Sequence, residues 1–175
     1  MSATDRATEL VFGYGNPSRG DDALGPMFVE RLRAGGAEQR PLEPGAGRLE
    51  LLTYFQLQPE HALDLRGRRR VLFVDASATC AEPFELRPLA AAPEASVFTH
   101  ALAPGALLAV FERIEYAAPP PSWLLAIRGY SFELGEPLST RAAENLEAAL
   151  GRARDWLAVR GAPRTVMRDA SEVEL

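Results

Sequence analysis

The stretch Val11-Phe12-Gly13-Tyr14-Gly15-Asn16-Pro17-Ser18-Arg19-Gly20-Asp21-Asp22-Ala23-Leu24-Gly25-Pro26 decides how this chain is read. An apolar run ends at a glycine turn, and Leu24, Phe28, Val29 and Leu32 then recur at helical spacing up to Gly35-Gly36, so the order is strand, loop, helix. Pro26 suits the first turn of that helix, where its missing N–H costs nothing. A dinucleotide-binding turn has the form Gly-x-Gly-x-x-Gly and presents a helix N-terminus to a pyrophosphate. Here Ser18 takes the third small position and the acids Asp21-Asp22 follow, so the turn delivers negative charge where a phosphate needs the opposite. It points to a cation or a peptide.

Working outward, Gln39 to Pro44 is expected as a second strand, and Arg48 to Phe55, with Leu49, Leu52 and Phe55 aligned, as a short helix after the turn Pro44-Gly45-Ala46-Gly47. Val71-Leu72-Phe73-Val74 is a continuous β-rich run ending in Asp75, which suits a strand buried on both faces of a parallel sheet. Phe84 to Leu89, with Pro83 and Pro88 at its margins, reads as an edge strand, and Ala90 to Ala95 as loop. Pro104 starts an apolar helix through Ile114, Pro119-Pro120-Pro121 breaks the chain, and Trp123 to Ile127 reads as another buried strand. Ser139 to Val159 carries a helical pattern in Ala142, Leu146, Ala149 and Leu150, with Ser139 or Thr140 as cap. Strands alternating with helices imply one doubly wound α/β domain with a mostly parallel twisted sheet and helices on both faces. It is expected over residues 1–160, with 161–175 as a flexible tail.

The 175 residues suffice for one well-buried domain, and the net charge of −5 argues against a nucleic-acid partner. The basic run Arg66 to Arg70 is expected to be a solvated turn before a strand. A single cysteine, Cys80, rules out an internal disulfide framework, fits a reducing compartment, and reads as a small buried residue. No secretory pattern is evident and no apolar run approaches the roughly 20 residues of a membrane span, so a cytoplasmic protein that leaves membranes alone is expected.

In an open parallel sheet, ligands collect outside the carboxyl ends of the strands. Asp22 follows the first strand, Asp75 ends the buried one, and His100 closes a loop just ahead of the helix beginning near Pro104. Two carboxylates and an imidazole make a mixed oxygen and nitrogen site for a borderline divalent metal, nickel or zinc. Each has a plainer role open to it. Asp22 or Asp21 could cap the first helix, Asp75 could bond the following turn through Ser77 or Thr79, and His100 could be a helix-start histidine. His61 has no acidic partner and reads as structural.

The opening turn resembles the signature of the hydrogenase maturation endopeptidases, Gly-x-Gly-Asn followed by a paired acid and Gly before a helix. Phe73-Val74-Asp75-Ala76 is similar to that family's strand-end Val-Asp-Ala, and Phe98-Thr99-His100 to its histidine before a helix, in the same order from Leu10 to Leu150. The segments from Gly13 to Asp22, from Gln56 to Glu60 and from Ser131 to Ser139 resemble the branch that matures bidirectional or NAD-reducing soluble hydrogenases. The resemblance implies an endopeptidase that removes the C-terminal extension of a nickel-iron hydrogenase large-subunit precursor after nickel insertion. It implies Asp22, Asp75 and His100 as metal-binding and catalytic residues, with Asp21 in second rank, nickel supplied by the substrate, and no organic cofactor. It leaves open whether the acids act on water, as in aspartic peptidases, or on metal. The chain departs from the family at Glu43-Pro44-Gly45-Ala46-Gly47, where many members read Asp-Gly-Gly-Thr-x-Gly. Glu43 is a secondary candidate there, and the threonine hydroxyl is absent. That departure keeps a second reading in view, a non-catalytic chaperone that holds the nickel-loaded subunit. A cofactor-binding module on the same architecture is a third, opposed by Ser18 and the Asp21-Asp22 pair.

Overall fold

Leu10, Val11, Phe12 and Val71 to Val74 have no exposed surface. Runs without a polar face must lie inside a sheet covered on both sides. A computed structural model, which describes residues 9–37, 48–92 and 102–158, places them on neighbouring strands, β1 (Glu9–Tyr14) and β3 (Arg70–Ser77). With β2 (Leu49–Tyr54), β4 (Phe84–Leu89) and β5 (Ser122–Arg128) they form one sheet in the order β2-β1-β3-β5-β4. The first four of these run parallel, and β4 lies antiparallel at the edge, where Pro88 is tolerated. The segments 38–47, 93–101 and 159–175 lie outside the described residues, and with them the expected strand Gln39 to Pro44 and the tail.

Among the described residues three α-helices, α1 (Leu24–Ala34), α2 (Pro104–Glu115) and α3 (Thr140–Ala158), divide between the two faces. Phe28 and Val29 of α1 and Leu146, Leu150 and Trp156 of α3 pack against Val11, Leu72 and Leu125 on one side. Leu107, Leu108 and Phe111 of α2, with Ala62 and Leu65 of a 3₁₀ helix at Pro59–Leu65, cover Leu10, Phe12 and Phe73 on the other. This is the expected α/β architecture. After β1 the chain goes outward to β2, then crosses to β3 on the opposite side of β1. The direction of winding therefore reverses between β1 and β3, which opens a crevice at their carboxyl ends.

Two local expectations are corrected. Arg48 to Phe55 is the strand β2, not a helix, paired with β1 from Glu9 opposite Leu49 to Tyr14 opposite Tyr54. Leu49 and Leu51 are buried and alternate with half-buried Glu50 and Leu52, a period of two that outweighs the Leu49, Leu52, Phe55 spacing; Phe55 is 67% exposed. The basic run Arg66 to Arg70 is not simply solvated. The Arg68 side chain is wholly buried against Glu50, and Arg70, 3% exposed, donates to Glu9 at 2.9 Å and to the Trp156 carbonyl at 2.9 Å while lying 4.2 Å over the Trp156 ring. Glu9 and Glu50 supply counter-charge that a count along one segment does not reveal.

Candidate active site

The turn after β1 is held by close backbone approaches. Gly15, at φ 140°, lies against the carbonyl of Asp22, and a Cβ there would collide with that oxygen. A Cβ on Gly25 would strike the carbonyls of Tyr14 and Val74, so the absence of a side chain lets α1 begin directly on the β1–β3 boundary. Between them Gly20–Ala23 forms a 3₁₀ turn bearing both acids, so the site presents carboxyl groups at the place where a nucleotide-binding fold presents N–H donors.

Neither acid caps α1. Asp22 accepts from the backbone nitrogen of Asn16 at 2.9 Å. Asp21, fully buried, accepts from the backbone nitrogens of Tyr130 (2.6 Å), Ser131 (3.0 Å) and Ser139 (2.7 Å) and from the Ser139 hydroxyl (2.8 Å). Burial alone would raise its pKa, but the hydrogen bonds from Ser139, Tyr130 and Ser131 outweigh it and hold the group below its ordinary value. Ser139 Oγ in turn accepts from Ala142 at 3.3 Å and caps α3, as the sequence suggested. The adjoining loop rests on the first turn: Arg19 Nε donates to the Phe132 carbonyl at 2.7 Å and Gly135 N to the Ser18 carbonyl at 2.8 Å. Two motifs widely separated in sequence are thus two halves of one wall.

Asp75 lies within β3, which continues to Ser77. The register pairs Gly13 with Val74, so Tyr14 and Asp75 form the next rung, on the face that α2 covers. Burial pushes Asp75 up to about 7, and the negative charge of Asp22 adds to the rise; the Tyr14 phenol and the Ala76 N–H oppose it. The phenol is near enough to act on Asp75, yet its buried Oη closes no well-formed hydrogen bond. Asp22 and Asp75, distant in sequence, therefore both lie at the carboxyl ends of β1 and β3, near enough for the charge of one to act on the other. Among the described residues no third His, Cys, Asp or Glu completes a metal-holding group with them. His100 and Glu43 lie outside the described residues; α2, which follows His100 in the chain, begins at Pro104 and covers the face that carries Asp75.

The plainer roles are filled by other groups. Ser77 Oγ, not Asp75, accepts from Thr79 (3.3 Å) and Cys80 (3.0 Å) in the turn after β3. His61 stacks 3.9 Å from the Tyr54 ring, and its Nδ1 accepts from Gln58 N at 3.0 Å in a capping box, the structural part expected of it. Cys80 is buried, with Sγ 3.5 Å from the Ala126 carbonyl. Tyr14 is the site residue that sequence reasoning missed. Its signal was the register, because a residue one past the Gly13–Val74 pair must stand beside Asp75.

No protein-family model matches the chain, and no curated protein does. Solved structures do. The hydrogenase maturating endopeptidase HybD from Escherichia coli is similar over 85% of this chain and 91% of its own, with a TM-score of 0.63 and 23% identity. The [NiFe] hydrogenase maturation protease HycI from Thermococcus kodakarensis is similar over 86% and 92%, with a TM-score of 0.62 and 24% identity. HybD from Thermococcus kodakarensis, also a [NiFe] hydrogenase maturation protease, is similar over 85% and 98%, at 0.57 and 18%. The five-stranded sheet, its strand order and the crevice between β1 and β3 are thus those of a chain that carries the fold of the hydrogenase maturation endopeptidases.

Proposed function

We propose that this protein is an endopeptidase that removes the C-terminal extension from the large-subunit precursor of a nickel-iron hydrogenase after nickel has been inserted. The observation that carries this reading is the placement of Asp22 and Asp75 at the carboxyl ends of β1 and β3, the switch point of a fold shared with solved hydrogenase maturation proteases. The motifs from Gly13 to Asp22 and from Ser131 to Ser139, which form one wall of the site, favour a partner of the bidirectional or NAD-reducing soluble kind.

Nickel belongs to the substrate in this reading. Asp22 and Asp75, joined by His100 from the segment ahead of α2, engage nickel already held by the precursor and so set the scissile peptide bond over the crevice. Hydrolysis adds water to the carbonyl carbon and sends a proton to the leaving amine, so the site must move protons near neutrality. Burial raises Asp75 to about 7 in the metal-free protein, and between them Asp22 and Asp75 supply a carboxylate that can take up and release that proton. Asp21 does not, because its carboxylate is occupied by four hydrogen bonds within the fold. The work is cytoplasmic, in keeping with the lone thiol; among the described residues no helix is long and apolar enough to cross a membrane.

The test is processing of a co-expressed large-subunit precursor, with and without nickel, by the intact protein and by Asp22→Ala, Asp75→Ala and His100→Ala. Nickel-dependent shortening by the intact protein, lost in each folded variant, is the expected result. Equal shortening of metal-free precursor would remove nickel from recognition. Stable association with the precursor and no shortening would make the protein a chaperone.

A further inference from the structure

On the face covered by α2 the two central strands carry an apolar ladder, Leu10 and Phe12 on β1 beside Val71 and Phe73 on β3, none with any exposed surface. The last rung breaks the pattern. Continuing the register past Gly13 and Val74 sets Tyr14 beside Asp75. Tyr14 is 8% exposed, and its hydroxyl is buried without a hydrogen-bond partner. A phenylalanine, like Phe12 two residues earlier, would fill the same space and desolvate no polar atom, so packing does not account for the hydroxyl.

We propose that Tyr14 is a positioning residue for Asp75, its hydroxyl donating to the Asp75 carboxylate in the working complex and fixing which way that carboxylate faces across the crevice toward Asp22. The ring belongs to the cluster of Phe12, Phe73 and Leu107, so packing sets the direction of the hydroxyl. Because Oη is sealed from solvent, it reaches the substrate only through a neighbouring group, and Asp75 is the acceptor beside it on the rung. A donor held on the neighbouring strand limits the orientations open to the carboxylate, the kind of preorganisation that reacting groups require.

The rate readout of this inference rests on the peptidase reading. Tyr14→Phe is expected to fold as stably as the parent or more so, to keep the KM for precursor, and to lose roughly ten- to a hundred-fold in kcat, the usual scale for removing a group that orients another. Crystal structures of the parent and of Tyr14→Phe read the orientation without any turnover. The parent should show Tyr14 Oη bonded to a single Asp75 conformer, and the variant a rotated or divided one. An unchanged kcat, an identical Asp75 orientation in both crystals, or a loss of rate that merely follows a loss of fold would overturn the assignment. If the parent shortens no precursor, the peptidase reading falls, and the pair of crystal structures still decides the role of Tyr14.

Discussion

The carboxylate of Asp22 accepts a hydrogen bond from the backbone nitrogen of Asn16 at 2.9 Å, closing a turn whose centre of closest approach is Gly15 against the Asp22 carbonyl. That contact leaves no room for a methyl group. Gly15 also holds φ 140°, which a side chain disfavours. Gly15→Ala should therefore cost about 2 kcal/mol or more and displace Asp22. Thermal unfolding measures the first effect and precursor processing the second, and processing should fall further than the loss of folded protein explains.

Asp21→Asn should be destabilising despite its similar shape. An amide replaces one carboxylate oxygen with a donor, which would face the N–H and O–H donors of Tyr130, Ser131 and Ser139. Hydrogen bonds to a charged group are worth about 1.5–3 kcal/mol each, so a loss of roughly 3 kcal/mol is expected. The pH dependence has a definite sign. Asp21 is held below its ordinary 3.8, so its stabilisation is complete above that value and disappears as pH falls through the lower folded one. Denaturation followed into acid should show this limb in the parent and a flatter one in Asp21→Asn.

Asp75 should behave in the opposite way. Its pKa rises from an ordinary 3.8 to about 7 on folding, so between those values the native state binds the extra proton. Stability therefore falls as pH rises through this range and remains lower above it. Asp75→Asn removes the penalty and should stabilise the protein above neutrality by up to roughly 4 kcal/mol while abolishing processing. A variant that is more stable and inactive is the mark of a strained functional group. Urea titrations across the range, paired with the processing assay, would reveal it, and a variant less stable than the parent above neutrality would contradict the assignment.

Arg70 supplies a contrast from the far end of the sheet. It binds Glu9, the Trp156 and Leu157 carbonyls and the face of the Trp156 ring, all at the amino ends of β1 and β3. Arg70→Ala would leave buried Glu9 with Arg69 as its partner and remove the bonds to the Trp156 and Leu157 carbonyls, and should cost about 3 kcal/mol. Processing per folded molecule should not change, since the crevice lies at the opposite ends of the strands.

Legibility from sequence followed the distance over which the deciding contact acts. β3 and β5 were readable because continuous apolar runs admit few other fates, and α3 because Ala142, Leu146, Ala149 and Leu150 repeat with one period. β2 was misread because Leu49, Leu51 and Leu52 satisfy two periods at once, and only pairing with β1 chooses between them. The 3₁₀ helix at Pro59–Leu65 was missed because its stabilising pair, Gln58 and His61, is a capping box written in unusual residues. For the site, the sequence placed Asp22 and Asp75 on one rim through the logic of winding. It could not separate the duties of Asp21 and Asp22, adjacent carboxylates whose partners lie 118 and 6 residues away.

The bond between Asp21 and Ser139 also sets a timetable. It closes a loop of 118 residues, so the turn that Asn16 and Gly15 close locally around Asp22 gains its long-range anchor at Asp21 only once the segment leading into α3 has docked. A nascent or truncated chain can assemble β1, β2 and β3 and still lack a fixed crevice. One side of the crevice thus waits on a contact that spans 118 residues, and its geometry is set by the docking of the segment from Tyr130 to Ser139.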